Sequence, residues 1–279
     1  MKSLFVGLGF QKCATTWLSM RLRRHPHVWA PPINELRFWD NYESGSARLP
    51  LQRRLLENLA NRLLEAPDRD AAIDAADRVG YWLRYQRTSP DGFASYEALF
   101  APGPQHRIAG EITPGYASLS TDTLRLIRSG SEGVKILLLM REPIARIWSQ
   151  IRHEARLRPE EVKNQRRMLE YLESDRMKTH TNYHGVLQRV FEVFPPEQVG
   201  VFFFEDMLAD QEAYLASICS FLGVDYDAAM LGGNKKDKSA DKEKMPDVVR
   251  ARAVELYGHV AGEVEKIIGS VPPSWQRRG

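Results

Sequence analysis

Two well-separated stretches of this chain have residue types and spacings suited to gripping a phosphorylated anion. The first is Leu4-Phe5-Val6-Gly7-Leu8-Gly9-Phe10-Gln11-Lys12-Cys13-Ala14-Thr15-Thr16-Trp17-Leu18. An apolar, β-prone run ends in glycine, turns through Lys12 and enters a helix that opens on paired threonines. Successive backbone N–H groups at such a turn point at an anion, and the helix dipole favours negative charge there. The pattern differs from G-x-x-x-x-G-K-[ST], in which the lysine directly precedes the hydroxyl residue. Lys12 stands three positions before Thr15, so it enters the loop early and meets a different part of the ligand. Taken by itself the stretch is equally compatible with an ordinary strand, turn and threonine-capped helix.

The second stretch is Val134-Lys-Ile-Leu-Leu-Leu-Met140, a continuous apolar run that reads as a strand buried on both faces. It delivers Arg141 at its end, and Pro143 suits the first turn of a following helix. Ser149 lies eight residues past Arg141, a little over two helical turns on. A guanidinium offers a bidentate fork to phosphate, and a serine hydroxyl adds a neutral donor. The third chemical candidate is Glu35, within Pro31-Pro32-Ile33-Asn34-Glu35-Leu36-Arg37-Phe38-Trp39-Asp40. A glutamate is usually solvated unless paired, but Phe38 and Trp39 are suited to wall a site and raise its pKa.

These segments resemble the motifs of sulfotransferases that use 3′-phosphoadenosine 5′-phosphosulfate (PAPS), in the bacterial and heparan-sulfate-sulfotransferase-like branch. Residues 9–18 are similar to that family's 5′-phosphosulfate loop, P-K-[SA]-G-T-T-W/x-L, with Gln11, Cys13 and Ala14 as departures. If the family glycine takes φ > 0, alanine at position 14 is strained. Arg141-Glu-Pro-Ile-Ala-Arg146-Ile-Trp-Ser149 resembles the 3′-phosphate motif R-[DN]-P-x-x-R-x-x-S, in which Arg146 is open to either a phosphate-site role or a brace for the helix. Residues 31–40 resemble K-E-x-x-F-F-D, which puts the catalytic base on Glu35 and replaces the family lysine by Asn34. Gly110-Glu111-Ile112-Thr113-Pro114-Gly115-Tyr116 is similar to G-E-x-[ST]-P-x-Y, making Glu111 a second base candidate, a substrate-orienting group or a structural acceptor. Tyr183 to Asp206 resembles the family's helix, F-P-x-E-Q turn and strand ending in E-D.

The resemblance implies a mechanism. The 5′-phosphosulfate is held by backbone N–H groups of residues 12–17 (Lys12, Cys13, Ala14, Thr15, Thr16 and Trp17) and by both threonine hydroxyls. The 3′-phosphate sits between Arg141 and Ser149, and Lys235 or Lys236 from the basic loop 232–239 closes over the nucleotide; Lys238 is a further candidate, and a solvated turn fits that loop equally. Glu35 removes the acceptor proton while Lys12 stabilises charge on the bridging oxygen. No metal is expected. Arg37, Trp39, Tyr85 and Glu111 are the weak acceptor-binding candidates, among a wider set of aromatic residues (Trp29, Tyr81, Trp82, Tyr116). The acceptor class is a carbohydrate or small natural product with a hydroxyl or amine. Two other readings remain open at this point. A P-loop kinase requires the Walker lysine and a magnesium-binding aspartate after a buried strand, and a silent PAPS-binding module keeps the cradle without the base.

The elements that must position these groups follow from periodicity. Strands are expected at 3–9, 107–112, 134–140 and 199–205, alternating with helices, so the fold class is α/β. The expectation is a single domain over 1–279, a mostly parallel sheet flanked by helices as in P-loop-like sulfotransferases. Lys12, Glu111 and Arg141 all fall at strand ends, where open α/β sheets bind ligands. A helix is expected over 15–24, an amphipathic surface stretch over 51–78 and a terminal helix over 246–268. The mixed-charge run 154–180 reads as a solvated helix or a flap over the acceptor.

Composition narrows the function classes. The 279 residues are 43% hydrophobic and 27% charged, sufficient for a sizeable core. A net charge of only +3 argues against bulk nucleic-acid binding while permitting a local basic pocket. The two cysteines, Cys13 and Cys219, have no metal or disulfide spacing. Cys13, at a helix N-terminus, is a candidate for a lowered pKa, or simply a small residue that fits the turn. No apolar run approaches the roughly 18–20 residues that span a bilayer, and no signal segment precedes the first strand, so a cytoplasmic enzyme is expected.

Overall fold

The computed structural model of the chain describes residues 3–47, 53–100, 105–131, 133–232 and 243–276. Five strands form one parallel sheet: β1 (Ser3–Gly7), β2 (Val28–Trp29), β3 (Ile108–Ile112), β4 (Lys135–Met140) and β5 (Val199–Phe203). Their order is β2-β3-β1-β4-β5. All of β3 and all of β4 beyond Lys135 are buried, which explains why these strands read as unbroken apolar runs. The four expected strands are present, each ending within two residues of its expected bounds. The two-residue β2, paired to β3 through Val28 and Trp29, is too short to leave a pattern in the sequence.

β1 lies at the centre, with Val6 opposite Glu111 of β3 and Gly7 opposite Leu137 of β4. The chain leaves β1 towards β2, whereas β4 leads to β5 on the other side. The winding therefore reverses between β1 and β4, and a crevice opens at the carboxyl ends of these two strands. Helix α1 (Thr15–Leu22) follows the loop after β1 and buries Leu18 and Leu22. Helices α2 (Phe38–Glu43), α3 (Arg53–Leu64), α4 (Arg69–Arg87), α5 (Phe93–Glu97) and α6 (Thr121–Gly130) come next. Helix α7 (Pro143–Leu157) follows β4; Pro143 is its first residue, and the Glu142 carboxylate accepts from the amides of Ile144 and Ala145.

The stretch expected over 51–78 is two helices packed as a hairpin. Pro67 interrupts it, and Asp68 caps α4 by accepting from the Ala71 amide at 2.8 Å. Leu59 is buried while Leu63 is exposed. The run 154–180 is not one solvated helix. Beyond α7 it forms short helices at Pro159–Val162, Gln165–Leu172 and Asp175–Thr181, and Val162, Leu172 and Met177 enter the core. Arg176 ties it to the buried Glu154 carboxylate at 2.8 Å. The expected terminal helix is likewise two, Asp247–Tyr257 and Val260–Ile268.

Candidate active site

The loop from Leu8 to Ala14 leaves the central strand directly over the crevice. Leu8 and Phe10 donate to the carbonyls of Leu137 and Leu139, at 2.9 and 3.2 Å, so β4 guides its first half. Gly9 is required there because a Cβ at this position would stand 2.5 Å from Thr15 Cγ2. Lys12 and Ala14 take left-handed φ values of 71° and 61° on either side of Cys13, and Thr15 begins the helix. Such alternation turns successive N–H groups inward as an anion-binding nest. The amides of Gln11 to Ala14 donate to no protein acceptor among the described residues. Ala14 thus carries the strain expected of a residue standing where glycine is preferred.

Arg141 faces this loop from the end of β4. Its Nη1 donates to the Lys12 carbonyl at 3.3 Å, and its guanidinium carbon lies 4.1 Å from the centroid of the Phe204 ring. The Arg141 backbone is pinned in turn, because Tyr183 Oη donates to its carbonyl at 2.9 Å. Tyr183 itself stacks on Phe10 of the loop with centroids 4.0 Å apart. Arg141 Nε is buried without a hydrogen-bond partner, as is Trp17 Nε1. Ser149 lies half-buried on α7. Arg146 is fully buried and donates Nη2 to Thr181 Oγ1 at 2.7 Å, which is a bracing role.

Lys12 has a lowered pKa, first through burial and then through the positive charges of Arg156, Arg141 and Arg152. His153 is lowered too, by burial and then by Lys12. Ser149, Arg152, His153 and Arg156 recur at the three- and four-residue spacing of one helix face. Sequence reading missed the last three. The three- and four-residue periodicity continuing from Ser149 within 143–157 is the signal that could have found them. Cys13 is buried, and burial pushes its thiol up to about 12, so it contributes backbone rather than a reactive sulfur.

Glu35 approaches from the segment between β2 and α2. Its φ is 54°, and desolvation by its surroundings raises its pKa, opposed by Arg37 and by Lys12. The residue keeps solvent access along the crevice while its carboxyl is crowded by protein. The lysine position before it is filled by Asn34, whose Oδ1 accepts from Arg23 of α1 at 2.6 Å. Arg37 is exposed and pairs with Asp40 at 3.1 Å.

The remaining acceptor-binding candidates sit differently. Trp39 and Tyr85 are fully buried, as is Tyr116, while Tyr81 and Trp82 are buried to within 5% exposure. These side chains fill the core and present no face to an acceptor; among the aromatic candidates Trp29 is half-exposed. Glu111 is also buried, accepting from Thr113 Oγ1 at 2.7 Å and Tyr96 Oη at 3.4 Å. Burial raises its pKa to about 7. Lys235, Lys236 and Lys238 lie outside the described residues. Among the described residues, no three His, Cys, Asp or Glu side chains converge as a metal site, and no helix is long and apolar enough to cross a membrane.

A family model described as "Sulfotransferase family" matches residues 4–228, which include the loop, Glu35, Glu111 and the Arg141 motif. The chain belongs to the sulfotransferase family. The fold of this sulfotransferase-family enzyme is similar to that of a sulfotransferase from Alicyclobacillus acidocaldarius, with 21% identity, a TM-score of 0.66 and 98% of both chains covered. It is similar to the sulfotransferase domain of the Synechococcus PCC 7002 olefin synthase, at 20% identity and a TM-score of 0.56, over 97% of this chain and 96% of that one. The sulfotransferase domain from the curacin biosynthetic pathway matches at 16% identity and a TM-score of 0.51, over 98% and 94%. At these identities the likeness is one of fold. No curated relative matches the chain.

Proposed function

We propose that this enzyme moves the sulfonate group of PAPS to a hydroxyl or amine of a carbohydrate or small natural-product acceptor by in-line displacement. The observation that carries the reading is the contact of Arg141 with the Lys12 loop across the reversal between β1 and β4. The donor set fits a doubly anionic nucleotide: inward amides at 11–14, the paired hydroxyls of Thr15 and Thr16, and an unpartnered Arg141 Nε. PAPS, when bound, supplies a sulfonate already activated by its link to the nucleotide phosphate.

The chain's own residues then divide the work. The loop amides and threonine hydroxyls hold the phosphosulfate end, and Arg141 with Ser149 holds the 3′-phosphate. Trp17 borders the same loop. Lys12 offers positive charge for the negative charge that builds on the departing nucleotide, a role worth about 2.7–4 kcal/mol where an oxyanion donor has been removed. Burial, and then the neighbouring arginines, lower its pKa from the ordinary 10.5. Glu35 takes the proton from the acceptor, and its raised pKa makes it a stronger base than a solvated glutamate. As in phosphoryl transfer, most of the acceleration comes from positioning and electrostatics.

The test is incubation with radiolabelled PAPS and a panel of hydroxyl and amine acceptors, in chelator. Label transferred to an acceptor supports the reading. Label retained on the nucleotide, with phosphoryl transfer from ATP instead, would assign the cradle to a kinase.

A further inference from the structure

The segment Glu111-Ile112-Thr113-Pro114-Gly115-Tyr116 takes no part in the chemistry just described, yet it is wired to the turn that carries Glu35. Two consecutive peptide planes of that turn end on it, those joining Leu36 to Arg37 and Arg37 to Phe38. The Arg37 N–H donates to Thr113 Oγ1 at 3.3 Å, and the carbonyl of the same peptide, on Leu36, accepts from Tyr85 Oη at 2.5 Å. The Phe38 N–H donates to Tyr116 Oη at 2.9 Å. Thr113 Oγ1 donates onward to Glu111 at 2.7 Å, and Glu111 is held in turn by Tyr96 Oη at 3.4 Å, so the Thr113 acceptor is itself fixed.

The turn needs such fixing. Glu35 and Arg37 both hold φ at 54°, a conformation that side-chain-bearing residues disfavour. Arg37 stands at the N-cap of α2 without a side-chain cap. Tyr116 supplies what the cap lacks: its hydroxyl meets the first two amides of the helix, Phe38 at 2.9 Å and Trp39 at 3.5 Å. Glu111, Thr113, Tyr116 and Tyr85 are all buried, so water does not compete for these bonds. Holding the Leu36–Arg37 and Arg37–Phe38 peptides fixes the chain immediately after Glu35, and so restricts the directions open to its carboxylate.

We propose that Glu111, with Thr113, Tyr116 and Tyr85, is a positioning bracket for the base turn, holding its strained backbone so that Glu35 points into the crevice. Glu111 is then a positioning residue, acting through Thr113, and not an alternative base, because its oxygens are occupied by the buried hydroxyls of Thr113 and Tyr96. The inference rests on the reading of Glu35 as the base.

The test uses Thr113→Val and Tyr116→Phe, each removing one acceptor, with Glu111→Gln as the third variant. Three readouts are taken on folded protein: calorimetric affinity for adenosine 3′,5′-bisphosphate, the carbon-13 NMR titration of the Glu35 carboxyl, and kcat against KM for sulfate transfer. In Thr113→Val and Tyr116→Phe, the bracket predicts a Glu35 titration moved towards that of an ordinary glutamate. It also predicts kcat lowered roughly 10- to 100-fold, with donor KM and bisphosphate affinity changed less than about threefold. A wild-type titration and wild-type kcat in both variants overturn the bracket. So does loss of the acid limb of the rate profile in Glu111→Gln together with its survival in Glu35→Gln. If the wild type fails to bind the bisphosphate, the functional reading falls, while the Glu35 titration still decides the bracket.

Discussion

Arg141 and Lys12 are 129 positions apart in sequence, yet Arg141 Nη1 lies 3.3 Å from the Lys12 carbonyl. The contact joins the end of β4 to the loop that leaves β1, across the point where the winding of the sheet reverses. Two sets of anion donors thereby face one crevice. In the proposed function these donors are the two ends of one site for a doubly phosphorylated nucleotide.

The fork of Arg141 matters as much as its charge. Arg141→Lys keeps the cation but loses bidentate geometry, and is expected to weaken adenosine 3′,5′-bisphosphate binding by about 1.5–3 kcal/mol. Ser149→Ala, which removes a neutral donor, is expected to cost about 1 kcal/mol. Titration calorimetry on both variants measures the difference, and equal losses would remove the distinction between fork and hydroxyl.

Lys12 and Glu35 are expected to act on turnover. Lys12→Ala and Glu35→Gln should each reduce kcat by roughly 10²- to 10⁴-fold while leaving the thermal unfolding midpoint close to wild type. Lys12 is half-buried and Glu35 exposed, so neither side chain is packed in the core. Steady-state kinetics beside a melting curve checks this, and near-normal rates would reassign both residues.

The rate should depend on pH in a direction set by these two groups. Glu35 must be ionised, and its pKa is raised above 4.5, so the acid limb of kcat/KM lies above the position of a solvated glutamate. Lys12 must be protonated, and its pKa is lowered below 10.5, so the alkaline limb is drawn inward. Glu35→Gln should abolish the acid limb alone.

Glu111 gives a separate signature in stability. Its folded pKa of about 7 exceeds the ordinary 4.5, so the folded state binds the extra proton between these values. That contribution is present below pH 4.5 and is lost as pH rises through about 7, amounting to roughly 3 kcal/mol. Urea unfolding from acid to neutral pH should show this slope in the wild type and a flatter one in Glu111→Gln.

The loop strain is testable at Ala14. With φ at 61°, Ala14→Gly should relieve the left-handed penalty. Against the added freedom of the unfolded glycine, a net gain of about 0.5–1 kcal/mol is expected. Gly9→Ala should destabilise, because its Cβ would collide with Thr15. Denaturant midpoints decide both signs.

Much of this was legible because the chemistry sits at strand ends. Leu4–Gly7 and Lys135–Met140 announce themselves by apolar continuity, and Lys12 and Arg141 follow directly. The helix breaks at Pro67 and at Gly258-His259 were harder to read, since amphipathic periodicity continues across them. The aromatic residues Trp39 and Tyr85 read as ligand surfaces because composition does not distinguish a buried ring from an exposed one; Trp39 packs on Phe93 and Tyr96 of α5, and Tyr85 reaches from α4 to the Leu36 carbonyl. The bracket was hidden for the same reason. Residues 36–38 meet 111–116 through backbone amides, and amides carry no sequence signal.

The account stands most directly on the calorimetry of nucleotide binding. Adenosine 3′,5′-bisphosphate should bind without divalent metal, more tightly than ATP with or without magnesium, and Arg141→Ala should abolish that preference. Preferential binding of magnesium ATP, or bisphosphate affinity unchanged in Arg141→Ala, would contradict it.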